Sequence, residues 1–255
     1  MKPMVLADFS KRSHQLEIID APHLLSPSEW RAILRELRIV NRWLGGSRAA
    51  LQEIKPLIQE IAGEKTDKRP VEIVDLGSGS GDIPVALVTW ARRAGYSLRV
   101  LAVDVDPTVC KIARRQTLHF PEITVLQGDV SRPPLREKGC DLILCSAFLH
   151  HFTDSKIATL LRSLLLTARK GVVISDLHRH PLAYWGIRLF TILFSRSKAV
   201  RNDGPLSVLK GFRRPEVEAI LDAAGVPRAR VKWRWAFRYV VFISATPSCH
   251  PKLVG

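Results

Sequence analysis

The chain is poor in cysteine: Cys110, Cys140, Cys145 and Cys249 are the four among 255 residues, and none makes a CxxC pair. No Cys/His run has the spacing of a metal ligand set either. This argues against a metal or disulfide framework and predicts reduced, buried or incidental thiols. Long apolar runs are also missing, and no segment reaches the roughly 20 apolar residues of a spanning helix. The apolar run near Met4-Val5-Leu6 is too short for a signal-peptide core, so a cytoplasmic location is expected. Internal repeats and low-complexity tracts are absent. Acidic residues are in deficit, with 24 Asp and Glu against 39 Lys and Arg, a net charge of +15. That excess favours an anionic partner, whether nucleic acid, anionic lipid or an acidic substrate, without choosing among them.

What is present is an ordinary globular content, 46% hydrophobic, with distinct stretches of helical and strand pattern. Residues 1–20 show no clear periodicity and read as a loosely held arm. Ser26-Pro27-Ser28-Glu29 is a helix start, with Ser26 as cap and Glu29 closing a capping box. Trp30, Leu34, Leu37, Asn41 and Leu44 follow at helical spacing, Gly45-Gly46 breaks the helix, and a second helix carries Leu51, Ile54, Leu57, Ile58 and Ile61. The polar run 64–70 reads as a linker, so residues 1–69 are expected to form an N-terminal helical cap.

From Val71 onward strands and helices alternate: strands near 71–76, 98–105, 123–126, 141–145 and 172–175, and helices near 83–94, 107–116 and 156–169. This order predicts an α/β fold with a Rossmann-like, doubly wound, mostly parallel sheet. The alternation then breaks. An apolar and basic insertion at 180–212 and a short helix at 215–224 precede two strands, 231–237 and 239–245, that form a terminal hairpin with one antiparallel strand. Trp233, Trp235 and Phe237 alternate with Lys232, Arg234 and Ala236, a period explained by packing on the core. Residues 70–255 are read as one domain.

The chemistry begins at Val71-Glu72-Ile73-Val74-Asp75-Leu76-Gly77-Ser78-Gly79-Ser80-Gly81-Asp82. A strand runs into a glycine loop and then a helix, at the sheet end where open α/β sheets bind ligands. The third glycine comes one residue too early for a dinucleotide fingerprint, and the Gly-Lys-Ser/Thr of a P-loop is absent. Asp75 would repel a pyrophosphate but suits a ligand bearing an ammonium group.

The loop resembles motif I of the class I S-adenosylmethionine (SAM)-dependent methyltransferases, D-x-G-x-G-x-G. The resemblance continues over residues 70–178 and implies SAM as cofactor. Asp104, at the end of the second strand, matches the acid that holds the ribose hydroxyls. Gly128-Asp129-Val130 matches the segment whose Asp holds the adenine amine. The stretch from Asp141 through Ser146 to His150-His151 resembles motif IV. The implied cofactor-binding residues are Asp75, Gly77, Ser78, Gly79, Gly81, Asp104, Asp129, Val130 and Ser146. Duller readings stay open: Asp104 or Asp106 as a helix cap, Asp129 as a solvated loop residue, Ser146 as an ordinary strand end.

Methyl transfer from a sulfonium is mainly a positioning task, helped by a general base when the acceptor is a hydroxyl or an acidic carbon. His178 and His150 are the candidate bases, beside the reading that no protein base acts. Cys145 lacks the preceding proline of a cytosine C5 enzyme and reads as a core thiol. Arg42 and Trp43 stand as candidates for the cofactor carboxylate and the acceptor pocket, against simple helix-end packing. The acceptor is expected to be a small lipophilic molecule of aromatic, quinone or polyketide type. The apolar, basic segment 181–199 is either a core helix or a peripheral contact with an anionic membrane. An RNA or protein methyltransferase using the basic surface is the alternative, with nucleic acid ranked behind the small molecule. A non-catalytic protein on the same fold is the third reading. The sequence says nothing of oligomeric state.

Overall fold

The strand Val71–Leu76 (β1) is buried at nearly every position, which requires helices on both sides of it. In the computed structural model, which describes residues 7–65, 69–130, 135–226 and 229–245, that cover is complete. After two helices, Pro27–Trp43 (α1) and Gly46–Glu64 (α2), β1 leads to Asp82–Ala94 (α3), Leu98–Asp104 (β2), Pro107–Gln116 (α4) and Ile123–Gln127 (β3). Cys140–Ser146 (β4), Asp154–Thr167 (α5) and Ala168–Leu177 (β5) follow. Then come Pro181–Phe194 (α6), Lys198–Lys210 (α7), Arg214–Ala223 (α8), Ala229–Arg234 (β6) and Arg238–Ser244 (β7).

The seven strands lie in the order β3-β2-β1-β4-β5-β7-β6. The pairs from β3 to β5 are parallel, and β7 runs antiparallel to both β5 and β6. This is the expected Rossmann-like sheet with one antiparallel strand beside its edge. Successive residues of a strand point to opposite faces. Thus Ile73, Leu142, Leu144 and Val173 join the core under α2 and α3, while Val74, Ile143, Cys145 and Ile174 join the core under α5 and α8. The capping box at Ser26 forms, with the Ser26 N–H donating to Glu29 at 2.8 Å and the Glu29 N–H donating to Ser26 Oγ at 3.3 Å.

Three expectations change. Residues 1–69 do not pack as one cap: Ala50, Ile54, Ile58 and Ile61 of α2 lie in the same core as β1, β2 and β4, while α1 and arm residues such as Glu17 and Asp20 line the site. From residue 7 onward the arm is not loose. Arg12 is buried, donating to the carbonyls of Lys210, His150 and Phe152 and pairing with Asp154, while Asp203 accepts the N–H groups of Ile18 and Ile19. The strand β6 ends at Arg234, so Trp235 and Phe237 belong to the hairpin turn. Trp233, on the edge strand, is 47% exposed, and Trp235, in the turn, is 72% exposed. Cys110, Cys140 and Cys145 are free and buried, and Cys249 lies outside the described residues. Among the described residues no helix is long and apolar enough to cross a membrane.

Because α2 shares the central core, Ile58→Ala should cost about 2–5 kcal/mol of global stability in one cooperative denaturant transition. A separate early transition for the N-terminal helices, with the remainder unaffected, would refute the shared core.

Candidate active site

The loop after β1 turns the chain toward the crevice between β1 and β4. Gly77, Gly79 and Gly81 all have positive φ. At Gly77 the constraint is double, since a Cβ there would also meet the Phe148 ring at 2.5 Å. Above Gly79 the space is open: a Cβ would find only Leu34 Cδ2, at 4.0 Å. Asp104 Oδ2 accepts the Gly79 N–H at 3.0 Å, and its Oδ1 accepts the Asp106 N–H at 3.1 Å. Helix capping falls instead to Asp106, which accepts from Thr108 and Val109.

One cavity of about 990 Å³ is lined by Asp75, Gly77, Ser78, Gly79, Asp104, Asp129, Val130 and Ser146. Of the expected cofactor residues, only Gly81 is not on its wall; it caps α3 in left-handed conformation. This end of the cavity is short of positive charge. Burial raises the Asp75 carboxyl to about 7; Ser78 opposes the shift, and the Asp104 and Asp82 carboxylates add to it. Burial also raises Asp104. A cationic ligand would relieve both.

The other end is built around Asp176, fully enclosed near the end of β5. Its carboxylate accepts the N–H groups of Phe148, His150 and Leu177 at 3.2, 3.3 and 2.7 Å and lies 2.7 Å from His150 Nδ1. Burial alone would raise its pKa, but His150, these hydrogen bonds and Arg238 hold it well below the usual carboxylate range. With Nδ1 facing the carboxylate, Nε2 of His150 is left as the basic nitrogen, 3.8 Å from Glu17 Oε1. Alongside, His151 Nδ1 lies 2.8 Å from Asp20, and Lys210 Nζ lies 3.0 Å from Asp20 and 3.3 Å from Glu17. Burial raises the Glu17 carboxyl, against the pull of His151 and Lys210.

The structure separates the two candidate bases. His150 lines the cavity; His178 does not. Leu177 faces the cavity, so the next residue along the extended chain turns away from it. His178 Nδ1 accepts the Trp233 indole N–H at 3.2 Å, and its ring packs against Tyr239. Burial lowers its pKa to about 4, helped by His180, Arg213 and Arg179. Arg42 and Trp43 are likewise off the wall; Arg38 and Asn41, on the inner side of α1, line it instead. Cys145 is a core thiol whose pKa burial drives upward.

Glu17, Asp20, Asp176, Lys210 and Arg238 were not singled out from the sequence. For Lys210 and Arg238 a signal exists, charge inside otherwise apolar segments. Glu17, His150 and His151 bring ligand atoms within 4.8 Å of one another, the geometry of a possible metal group. Lys210 Nζ already sits 3.3 Å from both Glu17 Oε1 and His151 Nδ1, so the positive charge there is the lysine's.

Residues 73–171 match the family model described as "Methyltransferase domain". An uncharacterized methyltransferase of Mycobacterium bovis is 34% identical over 86 residues, 34% of this chain and 40% of that protein. An uncharacterized transposon protein of Streptomyces fradiae is 34% identical over 89 residues, 34% of this chain and 25% of that one. The chain therefore spans less than half the length of these relatives. Among solved structures, a SAM-dependent methyltransferase from Aquifex aeolicus superposes with a TM-score of 0.53 at 20% identity, over 87% of this chain and 100% of that one. The CMeT domain of the citrinin polyketide synthase gives 0.58 at 12% identity, over 77% and 52%. These structures share the fold. The strand order and the glycine loop agree with that match: residues 73–171 are similar to a methyltransferase domain and lie in a Rossmann-like sheet.

Proposed function

We propose that the protein transfers a methyl group from SAM to an oxygen or carbon atom of a small lipophilic acceptor of aromatic, quinone or polyketide type. The observation that carries this reading is a single cavity joining the Asp75, Gly79 and Asp104 end to the His150–Asp176 pair. At about 990 Å³ it lies at the top of the usual range for small-molecule sites, roughly 300–1,000 Å³. That leaves room for a cofactor and a second molecule. Carbon methyltransferases, CurJ and DszA, and the CMeT domain of the citrinin polyketide synthase stand among the structures of similar fold, which agrees with a carbon acceptor of polyketide type.

The residues fit the cofactor. The open space over Gly79 admits a ligand against the loop backbone, and Asp75 lacks a cation that an amino-acid ammonium would supply. Asp104 keeps oxygen lone pairs for ribose hydroxyls, and Asp129 and Val130 line the wall assigned to adenine. When bound, SAM supplies a methyl on a sulfonium, an electrophile that needs no further activation. The apolar wall of Leu37, Val40, Leu44 and Ile187 receives the acceptor and excludes water. His150 Nε2 takes the acceptor proton. Asp176, held ionised, fixes the tautomer and stabilises the imidazolium that forms.

Three outcomes test this. Binding of the cofactor ammonium requires ionised Asp75, whose folded pKa is raised to about 7, so binding expels a proton at lower pH. Calorimetric affinity for S-adenosylhomocysteine should therefore rise about tenfold between pH 6 and 8. In Asp75→Asn it should be weak and flat; a flat profile in the unmodified protein would remove this role. Asp104→Ala should weaken binding at least about tenfold, the cost of losing charged hydrogen bonds, with the fold intact by circular dichroism. Unchanged affinity would sink the ribose assignment. With labelled SAM and a panel of phenols, quinones and polyketide mimics, His150→Ala should lower kcat by about 10²–10⁴. His178→Ala should stay close to the unmodified rate, and the reverse order would overturn the choice of base.

A further inference from the structure

The helix α6 is apolar on both sides, yet among the described residues only one side is covered. Tyr184, Ile187 and Thr191 are buried, in contact with the α7 and α1 side. Leu182, Trp185, Leu189, Ile192 and Leu193 recur at three- and four-residue intervals, and with Phe194 they are between 52% and 70% exposed. A fully apolar helix is normally buried all round, and a contiguous exposed apolar stripe marks an interaction surface.

This stripe borders the mouth of the cavity. Leu182 and Gly186 of α6 line the opening, as do Trp235 of the hairpin turn and Leu44 of α1. Trp43, next to Leu44, is 73% exposed. Positive charge frames the same region. Arg188 flanks the stripe with its guanidinium 5.4 Å from the centre of the Trp185 ring, and Arg196, Lys198 and Arg201 follow on the surface. Asp203, the one acidic residue between 181 and 210, is buried and held by the arm, so no exposed carboxylate within this segment offsets these cations.

We infer that this face docks on an anionic lipid bilayer, with α6 lying in the plane of the interface and the cavity opening toward the lipid. The charge pattern selects the occupant. A second copy placed symmetrically on the stripe would bring the four cations against their own images, which is repulsive. A nucleic acid would pair the cations but leave the Leu and Ile side chains without apolar cover. A bilayer with anionic headgroups satisfies both, taking the stripe into the headgroup and acyl boundary while the cations meet phosphate. Tryptophans at such a depth keep a polar edge in the interface. Docking stands apart from methyl transfer. Its purpose, to receive a lipophilic acceptor without passage through water, rests on the proposed function.

Co-sedimentation with phosphatidylcholine vesicles, with and without phosphatidylglycerol, is the test, with tryptophan emission recorded alongside. The unmodified protein should bind the phosphatidylglycerol vesicles, release with added salt and shift its emission to the blue. The variant Trp185→Ser, Leu189→Ser, Ile192→Ser should lose binding to both kinds of vesicle. Replacing Arg188, Arg196, Lys198 and Arg201 by Ser should weaken binding to the anionic vesicles at least about tenfold, with little change on phosphatidylcholine alone. All substituted positions are exposed and off the cavity wall, so the melting temperature and the affinity for S-adenosylhomocysteine should hold. No vesicle binding by the unmodified protein overturns the inference. So does a dimer in sedimentation that the serine stripe variant converts to a monomer, or capture of an RNA homopolymer without vesicle binding. A protein that binds vesicles but not S-adenosylhomocysteine would keep the docking surface and discard the methyl-transfer reading.

Discussion

The site rests on one constraint of chain winding. Strands β1 and β4 are neighbours, but the helices that follow them leave to opposite faces of the sheet: α3 packs on the core with α2, and α5 on the core with α8. No connection can roof the gap between them, so a crevice opens at the carboxyl ends of the strands. Everything functional is gathered there. The glycine loop leaves β1, the His150 turn leaves β4, and Asp104 and Asp176 stand near the ends of the strands on either side.

Such a crevice exposes buried polar groups, and the protein settles the two ends differently. At the Asp176 end compensation is internal, with backbone donors, an imidazole and Arg238 around one carboxylate. The N-terminal arm belongs to this arrangement, because Arg12 ties the carbonyls of His150 and Phe152 to that of Lys210. At the Asp75 end compensation is incomplete, resting on Ser78 and backbone N–H groups without a cation at Asp75, and the carboxyls respond with raised pKa values. An electrostatically incomplete end beside a complete one fits a site that receives a cationic ligand and positions a base next to it.

Much of this is legible in the sequence. Strand and helix periods are local properties, and Val71–Leu76 and Pro107–Gln116 were delimited from them. The glycine loop was legible because its turn demands left-handed backbone at fixed spacing, and the expected cofactor residues lie on one wall apart from Gly81. The acceptor end was less legible. His150 and His178 look equivalent in the sequence, each following a strand, and only the direction of Leu177 shows that His178 turns away. The aromatic alternation of Trp233 and Trp235 suggests a half-buried strand over 231–237, but the strand ends at Arg234 and lies at the sheet edge, leaving Trp235 in the turn.

By itself, then, the sequence determined the alternating α/β pattern, the loop that turns toward a ligand, and the acids at the strand ends. These depend on neighbours within a few residues. The tertiary structure decided that α2 is part of the central core, that Glu17 and Lys210 meet His150 and His151 across the cavity, and that one face of α6 has no cover among the described residues. Those facts depend on contacts between residues as many as 193 positions apart, as between Glu17 and Lys210. Local periodicity carries no record of which distant segment will stand opposite.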